Sequence, residues 1–88
     1  MNNVRRKAID GVKRALQPLL IELSIILSEV TDLFTEEEEA LENIPENLQD
    51  TERYEQTENA VDCLEIVIDT ISEFLDADLI DTLTEAQG

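Results

Sequence analysis

Between Leu16 and Leu41, apolar residues return every three or four positions, the spacing that lines one face of an α-helix. One line runs through Leu16, Leu19, Leu23, Ile26, Val30 and Leu33, and Leu20, Leu27, Phe34 and Leu41 flank it at steps of seven. Ile9 and Val12 carry the same face upstream, so the spacing predicts helix one over about 3–43. Gly11 and Pro18 interrupt it. Proline lacks an N–H and clashes with the preceding turn, so a kink or break is expected near Gln17. Thr35-Glu36-Glu37-Glu38 has the form of a capping box at which a separate helix would start. The apolar face passes from Phe34 to Leu41 without changing phase, which favours a single helix.

Residues 44–51 read as a connector. Pro45 disfavours helix at Ile44, and Asp50 or Thr51 supplies a side-chain oxygen to cap the next helix. Helix two is expected over about 52–76, with a core line of Tyr54, Val61, Leu64, Ile68, Ile71 and Leu75 flanked by Ala60, Val67 and Phe74. Leu79 and Leu83 would extend it to 84, whereas Asp76-Ala77-Asp78 opposes the extension. The whole of 1–88 then forms one all-α domain, an antiparallel helical hairpin. Two helices bury little, so the hairpin is expected to dimerise into a four-helix bundle. Ile21 and Ile25, opposite the core line of helix one, are the expected dimer interface. Ile66 and Ile80 also point outward.

Composition enters through charge. The 88 residues hold 22 Asp and Glu against six Lys and Arg, a net charge of −16. Arg5, Arg6, Lys7, Lys13 and Arg14 lie in the first 14 positions, and Arg53 is the only cation from Ala15 onward. Folding the chain near residue 47 brings the basic stretch alongside Asp76, Asp78, Asp81 and Glu85, so the two ends are expected to neutralise one another. Such exposed pairs contribute only about 0–1 kcal/mol each. Helix two also places Glu55, Glu58, Asp62, Glu65, Asp69, Glu73 and Asp76 at steps of three and four, in a sector of roughly 80°. Like charges so spaced oppose the helix by about 0.2–0.5 kcal/mol per pair. Glu36, Glu37, Glu38, Glu39 and Glu42 thicken the charge near the connector. The plainer reading is a solvated helix face; against it stands the lack of interspersed lysines, none of which occurs after Lys13.

Several classes of chemistry lack their residues. There is no histidine, so neither a Glu-x-x-His di-iron site nor a Cys–His nucleophile can be built. No Asp-rich calcium loop and no glycine-rich phosphate loop occurs. The single cysteine, Cys63, falls on the flank of the helix-two core face, where it reads as a small apolar residue. These absences predict a non-enzyme with no catalytic residues, no metal site and no cofactor. The apolar run from Pro18 to Leu27 is broken by Glu22 and is too short to cross a bilayer. One unpaired cysteine fits a reducing compartment, so a cytoplasmic protein is expected.

The segment Glu39-Ala40-Leu41-Glu42-Asn43-Ile44-Pro45-Glu46-Asn47-Leu48-Gln49, with Thr51-Glu52-Arg53-Tyr54-Glu55 and Asn59-Ala60-Val61-Asp62-Cys63-Leu64-Glu65, carries a resemblance. Over residues 36–75 the chain resembles small acidic helical-hairpin proteins of phages and mobile elements of Gram-positive bacteria, most of which lack an assigned activity. The resemblance implies a hairpin and no catalytic residues. Because phages encode acidic inhibitors of restriction, CRISPR and other nucleic-acid machinery, it also implies an anti-defence role. Three functions are expected candidates. The first is a nucleic-acid mimic whose stripe and Glu36–Glu39 block the basic groove of a nucleic-acid-binding protein, without contacting nucleic acid or membrane itself. The second is a structural or adaptor dimerisation module. The third, a membrane-surface helix at the basic N-terminus, is disfavoured by the acidic residues that compete for those cations.

Overall fold

A computed structural model describes all 88 residues and is entirely α-helical apart from turns. Helix α1 spans Asn3–Glu42, a single 3₁₀ turn covers Glu46–Leu48, α2 spans Glu52–Asp76 and α3 spans Leu79–Ala86. Local chemistry sets these boundaries. The Asn2 side chain accepts a hydrogen bond from the Arg5 amide at 2.9 Å, and Thr51 Oγ1 accepts one from the Tyr54 amide at 3.4 Å. Each satisfies an amide that the first helical turn leaves free. Thr51 Oγ1 also donates to the Leu48 carbonyl at 2.6 Å, tying the cap to the connector.

Helix α1 passes through Pro18 without a break. The ring lies on the exposed side of the helix, so only one ladder bond is lost there while Leu16 and Leu20 pack on the other side. Nor does a helix begin at Thr35. Its hydroxyl donates to the Thr31 carbonyl at 3.0 Å, a use of the side chain within a continuing helix rather than at its start. The C-terminal end does divide. Asp78 adopts a left-handed backbone, φ 52° and ψ 57°, which terminates α2 and turns the chain into α3. Such a conformation costs roughly 1–2 kcal/mol for most L-residues and is visited chiefly by Gly, Asn and Asp.

Residues late in the chain lie beside early ones. Lys13 Nζ donates to Thr84 Oγ1 at 3.0 Å and to Gln87 Oε1 at 2.9 Å, and Arg6 Nε donates to the Gln87 carbonyl at 2.9 Å. Phe74 shares a groove with Leu16, Leu20 and Leu23, while Arg53 sits near Ala40 and Ile44. The molecule is a rod of 68 × 16 × 14 Å. The two ends meet, but not as an ion-paired patch: the one salt bridge in the chain joins Lys13 to Asp10 at 4.0 Å within α1. The reason is the phase of α3, which turns Leu79, Ile80, Leu83 and Gln87 inward and leaves Asp81 and Glu85 exposed. Ile80 is accordingly half-buried rather than outward, whereas Ile66 remains 65% exposed.

The packing seam has a strict register. Half-buried positions on α1 are Ile9, Lys13, Leu16, Leu20, Leu23, Leu27, Val30, Phe34, Glu37 and Leu41, at alternating steps of four and three. On α2 the half-buried Tyr54, Thr57, Leu64, Ile68, Ile71 and Leu75 and the buried Val61 follow the same alternation. This 3.5-residue period is that of a two-stranded coiled coil. It corrects the core line drawn from sequence. Leu16, Leu23 and Val30 are on the seam, but Leu19, Ile26 and Leu33 are exposed, and Leu20, Leu27 and Phe34 replace them. Val61, 8% exposed, is the only buried residue.

Glu37 occupies a seam position that a leucine would ordinarily fill. Glu37→Leu is expected to raise stability by about 1 kcal/mol, while Glu36→Leu, one position off the seam, shifts it by less than about 0.5 kcal/mol. Urea denaturation of both variants followed by circular dichroism checks the register, and equal effects would refute it.

Candidate acidic face

The carboxylate row of α2 is a consequence of its seam. With Val61, Leu64, Ile68 and Leu75 turned toward α1, Glu55, Glu58, Asp62, Glu65, Asp69, Glu73 and Asp76 fall outside the seam and are all exposed. Neighbours along the row are about 5–6 Å apart along the helix axis. None of the seven side chains forms a hydrogen bond or an ion pair. The adjoining edge of α1 carries Asp10, Gln17, Ser24, Thr31 and Glu38, so no cation from the first helix reaches across.

At the connector end the structure separates residues that the sequence grouped. Glu36, Glu38, Glu39 and Glu42 are exposed, but Glu37 turns into the seam and is half-buried. Glu46, Asp50 and Glu52, also exposed, bring the density of charge at this end to its maximum. Arg53 lines a shallow cavity of about 300 Å³ with Ala40, Ile44, Pro45 and Leu48, and pairs with no carboxylate. No three acidic or cysteine side chains converge on a point where they could share a metal ion. No helix is long and apolar enough to cross a membrane.

Two features of the opposite side were not legible as exposed. Val67 and Phe74, read from sequence as flanks of the core, are 41% and 46% exposed, and Cys63 is exposed beside them. With Val12, Leu19, Ile26 and Leu33 they form an apolar strip; Phe74, Leu19 and Ile26 line one open groove of about 310 Å³. The sequence signal for it is three apolar residues per seven, one more than a two-helix seam can cover. Ile21 and Ile25 are likewise exposed but lie on another side of α1. No protein-family model, curated protein or solved structure matches the chain.

One carboxyl has a displaced pKa. Asp81 is raised above the ordinary carboxylate value, first by a hydrogen bond shared with Asp78 and then by the charges of Asp78 and Glu85. Raised in the folded chain, Asp81 favours the docked α3 when protonated. That contribution is complete below the ordinary carboxylate pKa and is lost as pH rises through the raised value. Asp78→Asn keeps a residue that tolerates the left-handed turn and removes the neighbouring charge. It is expected to slow amide exchange in α3 at neutral pH and to flatten the pH dependence of that exchange. Unchanged exchange at neutral pH and near the ordinary carboxylate pKa would show that the pair does not govern α3.

Proposed function

We propose that this chain is an acidic binding protein, an antiparallel helical hairpin that occupies the basic groove of a nucleic-acid-binding protein and so excludes nucleic acid from it. The observation that carries the reading is the uninterrupted row of exposed, unpaired carboxylates on α2. A groove built with Lys and Arg to track a phosphate backbone recognises charge at regular spacing more than it recognises bases. A rigid helix presenting one carboxylate per turn meets that requirement, and the charged connector end extends the row. Holding the charges in place before binding saves the partner the entropy of ordering a flexible acidic tail. A phage-defence nuclease has such a groove, in keeping with the anti-defence role implied by the sequence resemblance. The exposed apolar strip favours a second reading, a structural or adaptor module held to its partner by apolar contact.

The two readings differ in their response to salt. A bait in which Glu55, Glu58, Asp62, Glu65 and Asp69 are all replaced by glutamine is compared with the native chain in pull-downs from bacterial lysate, at low and moderate salt. Selective capture of a nucleic-acid-binding protein by the native chain, weakened about tenfold or more by the five changes, is the expected result. Equal recovery by both baits would reduce the row to a solvated face and leave the adaptor reading.

A further inference from the structure

We propose that the apolar strip docks one amphipathic helix of a basic partner, a helix with lysine or arginine along one edge of its apolar face. The strip comprises Val12, Leu19, Ile26 and Leu33 on α1 with Val67 and Phe74 on α2, every one exposed. Such a partner rests on the adaptor reading of the strip and gives that reading a chemistry. It owes nothing to the carboxylate row of α2, so either surface can fail without the other.

The shape suits a helix. From Val12 to Leu33 the strip runs about 30 Å along the rod, the length of roughly 20 helical residues. Within it Leu19, Ile26, Phe74 and Glu22 line an open groove of about 310 Å³. A helix with apolar residues at steps of three and four lays one face into a trough of this kind.

Charge selects the partner. On the seven-residue repeat of α1, Glu22, Glu29 and Glu36 border Leu19, Ile26 and Leu33 on the side away from α2. They stand about 10 Å apart along the axis, all exposed, and none forms an ion pair. No residue three or four positions from any of them is a cation. The strip's other border, on α2, carries Cys63, Thr70 and Ala77 and no acidic or basic side chain. The site is therefore acidic along one edge only. A lysine or arginine at that edge lays its methylene stem on Leu19 and Ile26 and brings its cation to Glu22. Further cations at seven-residue steps reach Glu29 and Glu36. A second copy offers no cation to this border from its own strip or from Cys63, Thr70 and Ala77. Nucleic acid and anionic bilayers are repelled by it.

The test uses a synthetic helical peptide of about 20 residues, with leucines on one face and three lysines seven residues apart along one edge of that face. Its isomer carries the lysines on the opposite face. At physiological salt, which screens charges beyond about 8 Å, the native chain is expected to bind the first peptide at micromolar concentration and about tenfold tighter than the isomer. Glu22→Gln with Glu29→Gln and Glu36→Gln keeps good helix formers at all three positions and is expected to remove that preference. Replacing Glu55, Glu58, Asp62, Glu65 and Asp69 by glutamine is expected to keep it. Bound peptide is also expected to slow alkylation of the exposed Cys63 at least about fivefold. No binding at about 100 μM, or a preference lost with the α2 row instead, overturns the proposal. Equal binding of both peptides with Cys63 protected leaves the strip an apolar partner and refutes a basic one. Cys63 protected without peptide, and more so as the chain is concentrated, gives the strip to a second copy and overturns the proposal as well.

Discussion

Everything in this molecule depends on one narrow contact, the seam in which Leu16, Leu20, Leu23, Leu27, Val30 and Phe34 of α1 face Val61, Leu64, Ile68, Ile71 and Leu75 of α2. It is the only apolar packing that spans most of the rod, and it is thin: a single residue is buried. A helix of 40 residues with a proline inside it keeps its course because neighbouring side chains hold it from that one side. The phase of the seam then dictates the rest. It decides which carboxylates reach water, which apolar residues are left over, and why Glu37 turns inward while Glu36 and Glu38 do not.

The all-α character was legible in the sequence because apolar spacing, scarce glycine and a threonine cap before Glu52 all point the same way. The choice of seam was not. Three apolar positions per seven residues define two overlapping lines that share Leu16, Leu23 and Val30, one completed by Leu19, Ile26 and Leu33 and the other by Leu20, Leu27 and Phe34. A single sequence gives both lines equal apolar content; only packing against α2 distinguishes them. The carboxylate row was easier to read, since Glu55 to Asp76 repeat within one helix and require no knowledge of a neighbour. Glu37 escaped for the same reason that Leu19 did. The C-terminal end was harder, because the inward side of α3 depends on the left-handed backbone at Asp78, a conformation that the Asp76-Ala77-Asp78 string permits but does not demand.

The carboxylate row of α2 and the apolar strip lie on different sides of the rod, although Glu22 of α1 lines the groove within the strip. Carboxylates gather on one side of α2 and at the connector end, and the apolar strip lies on the other side. Such segregation is costly for an isolated chain, since repulsion within the row opposes α2 while the strip stays wet.

The confinement of Lys7 and Lys13 to the start of α1 has a practical side. Lys13 Nζ is engaged by Thr84 and Gln87, which leaves Lys7 as the freer of the two lysine amines on a rod 68 Å long. Fluorophores, beads and acyl donors that react with amines must therefore attach at that end. A chain immobilised in this way stands with its carboxylate row untouched and its connector end outward, oriented by its own composition.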